Sequence, residues 1–252
     1  MATIQENLDL LQSTKSAIKN AIIEKGVSVS DSDSFASYAD KISEIQTENI
    51  NISSGTIKFS NSTFTEVPSG FIGWENLTDG SYMFASCSGL TSFNYNLPNL
   101  TNGTNMFNYC ISLSSWNIDL PNLNDGISMF RNTKIQTWNI DLPNLTNATQ
   151  MLQHCNLLTT FTSDLSNLTN GIQMFNDCPA LQNITLTGSL NCDGFDLTAC
   201  EILTVDSLVN VISVLVDLTG ESPKTLKLGS TNLAKLSEEQ KAVATNKNWV
   251  LS

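Results

Sequence analysis

The dipeptide Met-Phe, once replaced by Met-Leu, starts at Met83, Met106, Met129, Met151 and Met174, so its copies follow one another at intervals of 23, 23, 22 and 23 residues. Self-similarity at such a period restricts a chain to stacked or radial repeat architectures. Other columns keep the same register. Cys87, Cys110, Thr133, Cys155, Cys178 and Cys200 form one, and Phe93, Trp116, Trp138, Phe161 and Ile184 form the next. Asn76-Leu77, Asn99-Leu100, Asn122-Leu123, Asn144-Leu145 and Asn167-Leu168 align, followed by Gly80, Gly103, Gly126, Ala148 and Gly171. The residue missing from the short copy lies between Thr133 and Trp138, and a degenerate sixth copy falls at Asp196-Leu197 with Cys200 and Leu203 in register.

Within a copy, Trp116-Asn-Ile118-Asp-Leu120 and Trp138-Asn-Ile140-Asp-Leu142 alternate apolar and polar residues, the period of a strand with one buried face. Pro98, Pro121 and Pro143 cannot donate to a ladder and the following Asn favours a turn, so Leu-Pro-Asn-Leu ends the strand. The Gly-x-x-Met-Phe segment then returns the chain as a short helical turn or extended arc. One copy cannot bury its apolar face alone, whereas stacked copies share a core. The expected fold is an α/β repeat solenoid of parallel strands spaced by roughly 4.8 Å, with right-handed winding.

The ends do not repeat. Thr3-x-x-Glu6 is a capping box opening an amphipathic helix with Leu8, Leu11, Ile18, Ile22 and Ile23, and Gly26 suits its C-terminal cap. A second helix is expected from Phe35 to about Ile45, giving an N-terminal helical hairpin, and Thr56-Ile-Lys-Phe59 is strand-like. After Cys200 the pattern predicts a helix near Asp206–Leu218, a strand at Thr225–Leu228, a helix capped by Ser237-Glu-Glu-Gln240 and a strand at Trp249–Leu251, together a C-terminal α/β cap. The domains are therefore read as 1–46, an attachment or oligomerisation segment; 47–203, the solenoid; and 204–252, the cap.

The chain carries 12 Lys and Arg against 24 Asp and Glu, a net charge of −12, which repels nucleic acid and anionic membranes alike. Leu208–Leu218 is too short to span a bilayer. Met1-Ala-Thr-Ile-Gln-Glu-Asn lacks the basic and apolar regions of a secretory leader, so a soluble chain made in the cytoplasm is expected unless processing has removed a leader.

Enzymatic readings find little support. His154 is the single histidine, at a variable position next to Cys155, and reads as an ordinary surface or semi-buried side chain. Asp119, Asp141 and Asp164 share one environment, so nothing separates their pKa values into acid and base. The cysteines form no Cys-x-x-Cys pair and read as buried free thiols, Cys192 being the one that could be exposed. Met83, Phe84, Met106, Phe107, Met129, Phe130, Met151, Met174 and Phe175, with Cys87, Cys110, Cys155, Cys178 and Cys200, read as core rather than as a ligand groove. Asp31-x-Asp33 lacks the Gly and Glu of a calcium loop and reads as helix-capping chemistry. No metal or cofactor is expected. Trp116 and Trp138 could be sugar-stacking platforms, but their phase matches Ile118 and Ile140 and burial is favoured.

The candidate binding surface is the outward strand face. Asn94, Asn117, Asn139, Thr162 and Thr185 make one column, and Asn96, Asp119, Asp141, Asp164 and Thr187 another. Carboxylates at repeat spacing should repel across parallel strands unless solvated or bound to a partner. Such rows suit polyhydroxylated ligands and cations, and Asn ladders also stabilise solenoids by themselves.

Met-Phe-x-x-Cys-x-x-Leu followed by a short strand resembles the BspA-like class of leucine-rich repeats. Leu10–Gly26 with Phe35–Ile42 looks like a segment that begins many tail-fibre and minor structural proteins of bacteriophages and prophages, and Leu208–Leu218 with Lys224–Leu233 and Asn246–Trp249 looks like the C-terminal end of repeat proteins in those genomes. That resemblance implies a non-enzymatic virion component, made in the host cytoplasm. It would attach to other virion proteins through its N-terminal helices, as a homo-oligomer such as a trimer, and present the repeats to a host-surface glycan or protein. The alternative is a BspA-like adhesin of the bacterial surface.

Overall fold

The computed structural model describes residues 3–24, 28–34, 37, 38, 41 and 50–252. The chain divides into two compact units, Met1–Ile50 and Asn51–Ser252.

In the first unit, α1 (Ile4–Glu24) begins with the expected capping box: Glu6 N donates to Thr3 Oγ1 at 3.1 Å and Thr3 N to Glu6 Oε2 at 2.6 Å. These bonds hold the Glu6 carboxyl below its ordinary pKa. Ile22, Val29 and Tyr38 form a small core with Ile18 against it. Asp33 Oδ2 accepts from Ser30 N at 2.8 Å while Asp31 pairs with Lys19, so the two carboxylates serve local structure. Gly26 and most of the second helix expected over Phe35–Ile45 lie outside the described residues.

The second unit is a repeat solenoid. After β1 (Ile50–Asn51) and β2 (Phe71–Ile72), each copy contributes one short parallel strand: β3 (Ser92–Phe93), β4 (Ser115–Trp116), β5 (Thr137–Asn139), β6 (Thr160–Ser163) and β7 (Asn183–Leu186). The registers Trp138↔Phe161↔Ile184 and Asn139↔Thr162↔Thr185 are those of the sequence columns.

The return arcs are stitched as thoroughly as the strands. Gly80, Tyr82, Phe84 and Ser86 donate their amides to Asn102, Thr104, Met106 and Asn108 of the following copy, and later copies repeat this. Alternate amides thus reach the next coil, which leaves few backbone groups unpaired inside the stack. To hold this path each copy places two residues in the left-handed region, one before Met and one before the Cys column, where Thr133 stands in the short copy: Tyr82 and Ser86, Asn105 and Tyr109, Ser128 and Asn132, Gln150 and His154, Gln173 and Asp177. His154 therefore occupies a turn position, with Nδ1 3.0 Å from Asp177 Oδ2.

The Met, Phe and Cys columns are buried throughout. Phe59, Phe84, Phe107 and Phe130 form a row of stacked rings at centroid spacings of 5.1, 5.4 and 5.3 Å. Phe59 shows that an additional coil precedes Met83. Thr56–Phe59 is not a strand, as its composition suggests, but that coil's arc, with Phe59 N bonded to Met83 O at 2.6 Å. The thiols of Cys87, Cys110, Cys155 and Cys178 donate to main-chain carbonyls of the preceding coil at 3.0 to 3.2 Å. Cys192 is buried too, and burial raises its pKa to about 11. Asn99, Asn122, Asn144 and Asn167 donate through Nδ2 to main-chain carbonyls one copy back, at 2.6 to 2.9 Å.

At the C-terminal end, α2 (Val205–Ser213) is capped by Thr204. It stops short of the expected Leu218 because Val214 O and Val216 N bond instead to Leu190. β8 (Phe195–Asp196), β9 (Lys224–Lys227) and β10 (Trp249–Leu251) form a parallel sheet in the order β10-β9-β8. α3 (Gly229–Leu233) is a short helix that the pattern does not announce, and α4 (Glu238–Asn246) carries the Ser237/Gln240 capping box.

Candidate recognition face

The outward strand face is interrupted where the repeat is one residue short. In the full copies a turn bond closes Cys-x-x-Leu: Leu90 N to Cys87 O, Leu113 N to Cys110 O, Leu158 N to Cys155 O and Leu181 N to Cys178 O. Between Thr133 and Ile135 there is only Lys134, and that turn is not made. Lys134 N donates instead to Leu113 O at 2.8 Å, and Thr133 Oγ1 to Phe130 O at 2.8 Å. The strand that follows is displaced, and no ladder joins β4 to β5, leaving separate sheets β3-β4 and β5-β6-β7. Asn117 N donates to Phe93 O at 3.1 Å, but its counterpart, Asn139 N, finds no partner on β4.

The arcs on the other side of the coil are not disturbed. Parallel bridges run without a gap through Asp79, Asn102, Asp125, Asn147 and Asn170. The short copy therefore opens one face of the stack while the other stays closed.

The opening is a cleft of about 430 Å³ lined by Trp116, Asn117, Ile118, Asp119, Thr137, Asn139, Ile140 and Asp141. Trp138 is buried and its Nε1 donates to Ile140 O at 3.0 Å, whereas Trp116 is half-buried and walls the cleft. The Trp116 ring lies 4.5 Å from that of Trp138 and 4.9 Å from that of Phe130 between centroids. The lining holds two carboxylates and no cationic side chain.

The side chains of the two outward columns divide by what the fold asks of them. Asn96 Oδ1 accepts from Asp119 N at 3.1 Å and Asp141 Oδ1 from Asp164 N at 2.9 Å, so both cap amides of the following copy. Asp164 is half-buried, and its Oδ1 accepts from Ser166 N and from Ser166 Oγ. Thr162 is likewise half-buried. Asn94, Asn117, Asp119 and Asn139 are exposed, and no hydrogen bond of their side chains is found among the described residues. The expected row of equivalent carboxylates is thus uneven: Asp164 is tied locally, Asp141 is shared with the next strand, and Asp119 faces solvent. The one-residue gap was visible in the repeat spacing, but its consequence, an unzipped pair of strands, is a feature of the three-dimensional stack.

Among the described residues no group of three or more His, Cys, Asp or Glu side chains is placed to hold a metal ion, and no helix is long and apolar enough to cross a membrane.

The family profile described as BspA type leucine rich repeat region matches residues 13–127, 43–159 and 79–192. No curated protein and no solved structure matches the chain. The profile matches together span residues 13–192 of 252, well over half the sequence, and take in the repeat columns from Met83 to Cys178. The chain belongs to the BspA-type leucine-rich-repeat family.

Proposed function

We propose that the protein is a non-enzymatic recognition module that binds a cell-surface partner through its strand face, in the setting of a phage virion as a tail-fibre-like component. Leucine-rich repeats of this type are interaction modules. The observation that carries the reading is the set of exposed Asn94, Asn117, Asp119 and Asn139 side chains that the fold leaves unused, the last three of them lining the cleft. Polar side chains without an intramolecular partner keep their hydrogen-bonding capacity for a ligand. The virion setting rests on the resemblance of the non-repeating ends. In it, the N-terminal segment attaches the chain to other virion proteins or to further copies of itself, and exposed Ile4, Leu8 and Leu11 on α1 support that role. The family match fits a second reading equally, an adhesin of the bacterial surface, and the same face would serve it.

The test is attachment of the labelled protein to bacterial cells, comparing the wild type with the Asp119→Ala/Asp141→Ala double variant. Reduced attachment by a folded double variant is expected. Unchanged attachment would remove this face as the recognition site. Genomic neighbours separate the settings: tail genes alongside support the virion, and a cell-wall sorting context supports the adhesin.

A further inference from the structure

We infer that the cleft opened by the short copy is a subsite for one neutral polyhydroxylated ring, a pyranose unit of a surface glycan; this deepens the recognition reading and rests on it. The size is suitable, since about 430 Å³ lies within the roughly 300–1,000 Å³ of small-molecule sites. The chemistry is mixed in the way a sugar requires. Trp116 supplies an apolar aromatic wall for the C–H face of a ring. Asn117 and Asn139 each offer a carbonyl acceptor and two amide donors, and Asp119 offers acceptors, all unused by the fold. Asn139 N adds a main-chain donor at the unzipped edge.

Charge narrows the class. With carboxylates in the lining, no cation among them and a net charge of −12, an anionic sugar is repelled. The competing occupant is a Lys or Arg side chain of a peptide, attracted by Asp119 and Asp141. A cation brings donors only, which leaves the Asn amide donors without acceptors, whereas each sugar hydroxyl both donates and accepts. The neutral ring is therefore the better match.

The experiment follows the Trp116 indole N–H resonance of the full chain during titration with glucose, galactose, mannose and N-acetylglucosamine, and separately with glucuronic acid and an oligolysine peptide. The expected result is a saturable shift with at least one neutral sugar and none with glucuronic acid. Asn117→Ala/Asn139→Ala should weaken binding by about tenfold or more. Inserting one Ser between Lys134 and Ile135 restores the Cys-x-x-Leu spacing, should close the cleft, and should abolish the shift in a protein whose circular dichroism is unchanged. No shift with any neutral sugar, a shift with oligolysine alone, or sugar binding that survives the double substitution would overturn the inference. If attachment to cells still depends on Asp119 and Asp141 while no sugar binds, the subsite fails and the recognition face stands.

Discussion

The buried thiol column should make stability fall steeply on the alkaline side. Burial pushes the Cys155 thiol up to about 11 and the Cys110 thiol up to about 12, against an ordinary value of 9.0. Below pH 9 both states keep these protons and the full stability is present. As pH rises further the unfolded chain releases them while the folded chain holds them, so the unfolded state binds fewer protons and stability declines. Each such thiol contributes a slope of about 1.4 kcal/mol per pH unit, or about 2 kcal/mol by pH ~10.5. Thr133 occupies the same column with its hydroxyl bonded to Phe130 O, so Cys110→Thr/Cys155→Thr is a substitution the fold already accommodates. Urea unfolding under reducing conditions, followed by far-UV circular dichroism at pH ~8 and ~10.5, measures the loss. The two proteins differ only at these two side chains, and the double variant should lose up to about 4 kcal/mol less than the wild type. Equal alkaline losses in the two proteins would refute the reasoning.

Three other outcomes are expected. Phe107→Ala removes a fully buried ring stacked 5.4 Å from Phe84 and 5.3 Å from Phe130, and chemical denaturation should show a loss of about 3–5 kcal/mol. Gly89→Ala places a Cβ 2.5 Å from the Thr63 carbonyl oxygen, a main-chain atom that cannot swing away, and thermal unfolding should register a cost of about 1–3 kcal/mol. Leu8→Asp/Leu11→Asp alters two exposed apolar positions of α1, and light scattering should show any assembly of the wild type dissociating to a smaller mass while the solenoid's circular dichroism is retained.

The core was legible because the stack demands it. Met106, Phe107 and Cys110 repeat at fixed spacing since each meets the same neighbours one coil away. A Cβ at Gly103 would lie 2.5 Å from Met129 Sδ, which couples the Gly and Met columns. The left-handed positions were not legible, because Tyr82, Gln150 and His154 share no residue type that announces the conformation. The coil at Phe59 was hidden for a related reason: it keeps the ring but has lost Met and Cys, so it is identified by the stacking on Phe84 and the main-chain bond to Met83. α2 was over-extended from its apolar pattern, since Val214 and Val216 serve a main-chain pairing with Leu190 that local periodicity does not encode. At the candidate site the Asn and Asp columns could be read directly. Which of them the fold consumes could not, because Asn96 and Asp141 are occupied by amides one coil away.

Residue-resolved amide exchange tests the opened ladder most directly. Asn117 N is bonded to Phe93 O and Thr162 is paired in the β5-β6 ladder, while Asn139 N meets no partner on β4. Asn139 should exchange markedly faster than Asn117 and Thr162, and the one-residue insertion after Lys134 should slow it to match them. Equal protection of Asn117, Asn139 and Thr162 in the wild type would mean an unbroken strand ladder and no cleft.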